Sequence, residues 1–129
     1  MIDVGIKGKN TRNVTEDLTA SSVGSGTLRV FATPAMIALV EETAYLSIAP
    51  HLSEGQSSVG TRLDVSHSSA TPVGMDVVCE TEVVEVDRRR VVFKVVVSDA
   101  AGEIGSGVHE RFIVDDVRFM EKAESKLRS

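Results

Sequence analysis

With 129 residues, 42% of them hydrophobic and 26% charged, the chain has the size and composition of a single globular domain, residues 1–129, able to bury roughly two-thirds of its unfolded surface. A net charge of −5 argues against a nucleic-acid partner, which requires a concentrated basic surface. One cysteine, Cys79, three histidines without ligand spacing, an N-terminus without a signal-peptide core and no apolar run near the ~20 residues that span a bilayer predict a cytoplasmic protein with no disulfide, metal or membrane partner.

A first strand is expected near residues 9–14, and a loop at residues 21–26, where Ser21, Ser22, Gly24, Ser25 and Gly26 crowd together. Thr33-Pro34 marks a helix start, since proline suits the first helical turn and forces the residue before it into the extended conformation of a cap. One long helix is predicted over residues 34–49, stopped by Pro50, with a polar loop over residues 51–57. From residue 58 the period changes to two, and Val59, Thr61, Leu63, Val65 and His67 are expected on the inward face of a strand. After a break at Pro72-Val73-Gly74 the alternation resumes over residues 75–86, with Met75, Val77, Cys79, Thr81 and Val83 on one face. A turn at residues 87–89 leads into a valine-rich strand over residues 90–98, inward at Val91, Phe93, Val95 and Val97; its outward Val92 and Val96 suggest an interface between copies. Asp99-Ala100-Ala101-Gly102 is a hairpin signal before a last strand over residues 103–114, and the charged tail beyond it is helix-permissive. Arg88-Arg89-Arg90, the one basic run, reads as a solvated turn or as an attraction for an anionic ligand. One long helix followed by strands joined mostly by tight turns is an α+β pattern, an antiparallel sheet wrapped around a central helix.

Glu41 is out of place in that helix. Projected at about 100° per residue, it falls between Ile48 and Tyr45 in a sector otherwise holding Val40, Ala44, Ile37, Ala38 and Ala49, whereas Glu42 points toward the sector's edge. A carboxylate removed from water needs a partner or a shifted pKa, and catalysis is one reason to keep it there. Thr33 at the helix start and His67 at the end of the inward strand face supply a hydroxyl and an imidazole that could meet Glu41 near the positive end of the helix. Each residue also has a purely structural role available: Thr33 as a cap, Glu41 as a carboxylate reaching solvent or an arginine, His67 as a hydrogen-bonded strand-end residue. His51 is expected in solvent, His109 in a structural pair on the strand face it shares with Arg111, and Cys79 in the core.

These residues also carry a family resemblance. Val30-Phe31-Ala32-Thr33, the helix with Glu41 ending in Ala49-Pro50, Val59-Gly60-Thr61, Val65-Ser66-His67 and Ile104-Gly105-Ser106-Gly107-Val108-His109-Glu110-Arg111 resemble the fluoroacetyl-CoA thioesterase family of hotdog-fold proteins, over roughly residues 10–115. The resemblance implies an α+β hotdog fold, a homodimer or dimer of dimers with sites at the subunit interface, and hydrolysis of a small acyl-CoA thioester to the carboxylic acid and CoA. It implies no cofactor beyond the coenzyme A of the substrate. Thr33, Glu41 and His67 match the catalytic set, with Glu41 as nucleophile or general base; Gly60, Arg111 and Phe31 are the expected substrate contacts, the Gly60 amide as an oxyanion donor. The fluoroacetyl-specific member carries lid phenylalanines ahead of its Val-Phe-Ala-Thr string. Here residues 23–29 read Val-Gly-Ser-Gly-Thr-Leu-Arg, which predicts a different small acyl group or a broader range. Two other functions fit the same shell: acyl-CoA binding or sensing without turnover, and hydration of an acyl thioester, against which Glu41 in place of an aspartate counts.

Overall fold

A computed structural model describes residues 2–128; Met1 and Ser129, both within the expected domain, lie outside the described residues. Five strands, β1 (Lys7–Asn13), β2 (Gln56–His67), β3 (Asp76–Asp87), β4 (Arg90–Asp99) and β5 (Gly102–Asp115), form one antiparallel sheet in the order β1-β3-β4-β5-β2. Helix α2 (Thr33–Ile48) packs on one face of the sheet, a short α1 (Ala20–Val23) lies beside it, and a C-terminal α3 (Asp116–Glu124) follows β5 and packs against it. The expected helix-wrapped sheet is the observed one. No helix among the described residues is long and apolar enough to cross a membrane.

The alternation read from the sequence delivers the core. Val77, Cys79 and Val83 of β3 and Val91, Phe93, Val95 and Val97 of β4 are fully buried against Met36, Leu39, Val40, Ala44 and Ile48 of α2. Burying such side chains contributes about 1.5–3 kcal/mol each before chain entropy is counted. The helix comes close where strands lack side chains: a Cβ on Gly8 would lie 2.9 Å from the Thr43 carbonyl, and one on Gly105 3.1 Å from the Met36 sulfur.

Several expectations are corrected. Residues 21–26 are not all loop: Thr19, whose hydroxyl accepts from Ser22 N, caps α1, and Gly24, at φ 82°, ends it in the left-handed conformation that favours glycine. Thr33 is not the cap of α2; Ala32 holds that position without a side-chain hydrogen bond, and Thr33 is the first helical residue. Strand β2 does not keep one phase. A β-bulge between Gly60 and Arg62 turns Val59 to the outer face while Ser58 and Gly60 face α2, and Leu63, Val65 and His67 share the inner face beyond it. Val92, expected on an open apolar face, is buried. The basic run is partly spoken for: Arg89 bridges to Asp115, and Arg90 pairs with Glu85 and Glu110.

Glu41 does not sit at the centre of the buried stripe. That stripe is Met36, Leu39, Val40, Thr43, Ala44 and Ile48, and Glu41 and Glu42 flank it on opposite sides. Their side chains retain 39% and 40% exposure. The sheet covers one side of α2, so Ala38, Tyr45 and Ala49, which helped define the apolar sector in sequence, lie on its open side.

Candidate active site

Within one protomer the expected site residues form two groups. In the first, Thr33 Oγ1 lies 2.8 Å from His67 Nδ1. The first turn of α2 presents the hydroxyl, and the last residue of β2 presents the ring. Phe31 is buried and stands edge-on to that ring, centroids 6.3 Å apart, so it braces His67. His67 Nε2 is buried and has no hydrogen-bond partner among the described residues, which leaves it available to a ligand or a second chain. Burial lowers the His67 pKa, with the Ser69 backbone pulling the other way. Thr33 and His67 line a cleft of about 260 Å³ with Ser25, Val30, Ser68 and Ser69. A hydroxyl can donate to a neutral imidazole nitrogen or accept from a protonated one, so the contact is compatible with either protonation state of the ring.

The second group surrounds Glu41. The Arg111 side chain is only 7% exposed; its Nε donates to Ser58 Oγ at 2.8 Å, Nη2 to the Ser58 carbonyl at 2.9 Å and Nη1 to Glu41 Oε2 at 3.2 Å. The Tyr45 ring lies under the guanidinium at 5.9 Å. Burial lowers the Arg111 pKa, opposed chiefly by the attraction of Glu41. The enclosed charge is therefore the arginine, and Glu41 is its half-exposed counter-ion. Gly60 makes this possible, because a Cβ there would overlap Glu41 Oε2. Since the obstructing atom is the tip of a flexible side chain, Gly60→Ala is expected to move the carboxylate at little cost to the fold. Its melting temperature should stay within a few degrees of the parent; a larger drop would show that Glu41 cannot move aside.

The two groups do not meet. Thr33 and Glu41 stand eight residues apart on one helix, about 12 Å along its axis. Gly60 and His67 are seven residues apart on β2, roughly 20 Å along the strand. The expectation that hydroxyl, carboxylate and imidazole converge at one helix end is not met inside a single protomer.

The family model described as fluoroacetyl-CoA-specific thioesterase matches residues 14–117. This chain belongs to that family. A curated relative, fluoroacetyl-CoA thioesterase of Streptantibioticus cattleyicolor, is 39% identical over 97 residues, covering 75% of this chain and 70% of that protein. A solved structure of a fluoroacetyl-CoA thioesterase superimposes with a TM-score of 0.93 at 32% identity, covering 98% of each chain. A threonine-to-serine variant of such an enzyme, solved in complex with acetyl-CoA, gives 0.92 at 31%, covering 97% and 98%. Membership of the fluoroacetyl-CoA-specific thioesterase family makes this protein a thioester hydrolase with the hotdog fold.

Sequence reasoning missed Ser58, which takes two of the Arg111 contacts, and Tyr45, which underlies it. Strict alternation from Gly60, the position facing Glu41, would have marked Ser58 two residues earlier. The helical projection sets Tyr45 beside Glu41, but nothing local shows that its ring lies beneath an arginine.

Proposed function

We propose that the chain hydrolyses small acyl-CoA thioesters at a site shared by two copies, in which Glu41 of one copy faces Thr33 and His67 of the other. The observation that carries this reading is the placement of the two groups at opposite ends of β2, an edge strand with one side unpaired in the protomer. If β2 pairs antiparallel with β2 of a second copy about a two-fold axis near Leu63 and Asp64, the midpoint between Gly60 and His67, each Thr33–His67 couple comes beside the other copy's Gly60 and Glu41. Pairing of that kind satisfies the free strand edge and generates two equivalent sites.

In such a site Glu41, whose Oε1 is not taken by Arg111, attacks the thioester carbonyl or draws a proton from water. His67, as the imidazolium, then protonates the departing CoA thiolate with Thr33 holding its ring; where Glu41 is the nucleophile, water cleaves the acyl–Glu41 anhydride and gives its proton to His67, releasing the carboxylic acid and the free carboxylate of Glu41. The Gly60 amide is the candidate donor to the developing oxyanion, and Arg111 fixes the carboxylate. No cofactor is needed beyond the CoA of the substrate. The cleft at Thr33 is lined by Ala20, Ser25 and Val30 from the preceding segment, with no aromatic lid drawn from residues 23–29. Acetyl-CoA, fluoroacetyl-CoA and other short acyl-CoAs are therefore expected to be turned over with modest discrimination. Release of CoA from such a panel, read with a thiol reagent, tests the reading. Binding of the esters without thiol release would select the non-catalytic alternative.

The shared site also fixes the sign of a titration. In one protomer His67 faces the Thr33 hydroxyl, the Phe31 ring and the Ser69 backbone, and burial lowers its pKa from the ordinary ~6.5. A carboxylate arriving from the partner raises it. In Glu41→Gln the ring should accordingly titrate below ~6.5 and below its value in the parent protein, as followed by NMR. Equal values in the two proteins would mean that no carboxylate stands beside His67.

A further inference from the structure

Beyond the groups already assigned, the most constrained titratable side chain in the molecule is His109. It is fully buried in the centre of β5, its ring stacked on Phe93 with centroids 6.0 Å apart and an interplanar angle of 27°. Both nitrogens are occupied: Nδ1 lies 2.8 Å from the Arg62 carbonyl, and Nε2 lies 3.2 Å from Arg111 Nη1. A carbonyl only accepts and a guanidinium only donates. The partners therefore decide the protonation: Nδ1 carries the hydrogen, and Nε2 presents a lone pair to Arg111. A second proton on Nε2 would point at an N–H of the guanidinium.

From this geometry we infer that His109 is a positioning residue for the reaction, acting on Glu41 through Arg111, and that its work requires the neutral ring protonated at Nδ1. Arg111 Nη1 has two hydrogens and two acceptors, His109 Nε2 and Glu41 Oε2, each at 3.2 Å. Fixing one hydrogen on the histidine sets the guanidinium plane that aims the other at the carboxylate, while Ser58 fixes the far edge. The chain of contacts starts at Arg62, the residue that closes the β2 bulge, where Thr61 Oγ1 donates to the Glu110 carbonyl across the strands. The bulge thus turns Gly60 toward Glu41 on one side and anchors, on the other, the ring that orients the carboxylate's partner. The charged groups bearing on His109 are Arg111 from its own strand and Glu41 from α2, with Glu110 on the opposite face of β5; burial and Arg111 disfavour the charged ring, and the Arg62 carbonyl and the two carboxylates favour it.

This inference rests on Glu41 being the reacting carboxylate, and the test separates the two. His109→Phe keeps the ring shape and the Phe93 stack but removes the acceptor; His109→Gln restores an acceptor toward Arg111. With acetyl-CoA as substrate, His109→Phe is expected to lose about 10- to 100-fold in kcat with KM nearly unchanged, and His109→Gln to recover most of that loss. Full kcat in a folded His109→Phe, or equal losses in the two variants, would overturn the positioning role. Activity retained in Glu41→Gln would instead remove the reading it rests on. Nitrogen-15 NMR of the parent protein gives a check that needs no variant to fold: the neutral His109 ring should carry its hydrogen at Nδ1, and it should titrate below the ordinary histidine value. Protonation at Nε2, or titration at the ordinary histidine value, would overturn the proposal.

Discussion

Glu41→Gln is expected to lower kcat by about 10³-fold or more on any acyl-CoA the parent hydrolyses, whether the carboxylate acts as nucleophile or as general base, because an amide does neither at useful rates. The substitution is close to isosteric, and the amide oxygen can still accept from Arg111 Nη1, so the geometry should survive. The charge does not. Arg111 is nearly enclosed and Glu41 is its only ion-pair partner among the described residues, so the variant leaves a buried cation without a counter-ion. For a fully buried pair that would cost about 3–5 kcal/mol; with Glu41 at 39% exposure, solvent screening reduces it to about 1–2 kcal/mol, or a drop of several degrees in melting temperature. Glu42→Gln is the control. Glu42 occupies the opposite flank of α2, where it pairs with Arg12 and accepts from Asn10, and its loss should leave kcat within about two-fold. Equal effects of the two substitutions on turnover would place the chemistry elsewhere.

That comparison shows what the sequence could and could not reveal. Glu41 drew attention as a charge in an apolar sector, yet the sector was apolar partly because Ala38, Tyr45 and Ala49 line a side of α2 that the sheet does not cover. Periodicity reports which residues avoid water and cannot distinguish a core from an open apolar face. The strands were legible because every second position of β3 and β4, at Val77, Cys79, Thr81 and Val83 and at Val91, Phe93, Val95 and Val97, suits a buried face, and both neighbours of each are strands of the same sheet. Strand β2 was misphased because a bulge is one extra residue with no reliable signature, and Thr61 looks like any strand threonine. The long-range partners were beyond reach of spacing altogether: Arg111 is 70 positions from Glu41, and the chain offers many arginines. The family resemblance names Thr33, Glu41 and His67 together but gives no sign that a single chain holds Glu41 apart from the other two.

The separation itself gives the sharpest test. Co-expression of Glu41→Gln and His67→Ala chains carrying different tags, followed by two-step purification, yields a heterodimer in which each chain lacks one group. If Glu41 works with His67 of the partner subunit, one of the two sites in that heterodimer combines intact Glu41 from the His67→Ala chain with intact His67 from the Glu41→Gln chain. The other site has neither. Two preparations that are separately inactive should then give a dimer with about half the parent kcat. The reciprocal pairing, a parent chain with a Glu41→Gln, His67→Ala double variant, should be inactive, because each site then lacks one group. Within-protomer catalysis demands the reverse, an inactive first heterodimer and a half-active second. The eight-residue separation of Thr33 and Glu41 on a rigid helix makes the first outcome the expected one, since about 12 Å along an unbroken helix cannot be closed by rotamers. A site shared in this way ties turnover to concentration: dilution below the dissociation constant of the proposed dimer is then expected to abolish turnover while each protomer keeps its own Thr33–His67 and Glu41–Arg111 contacts.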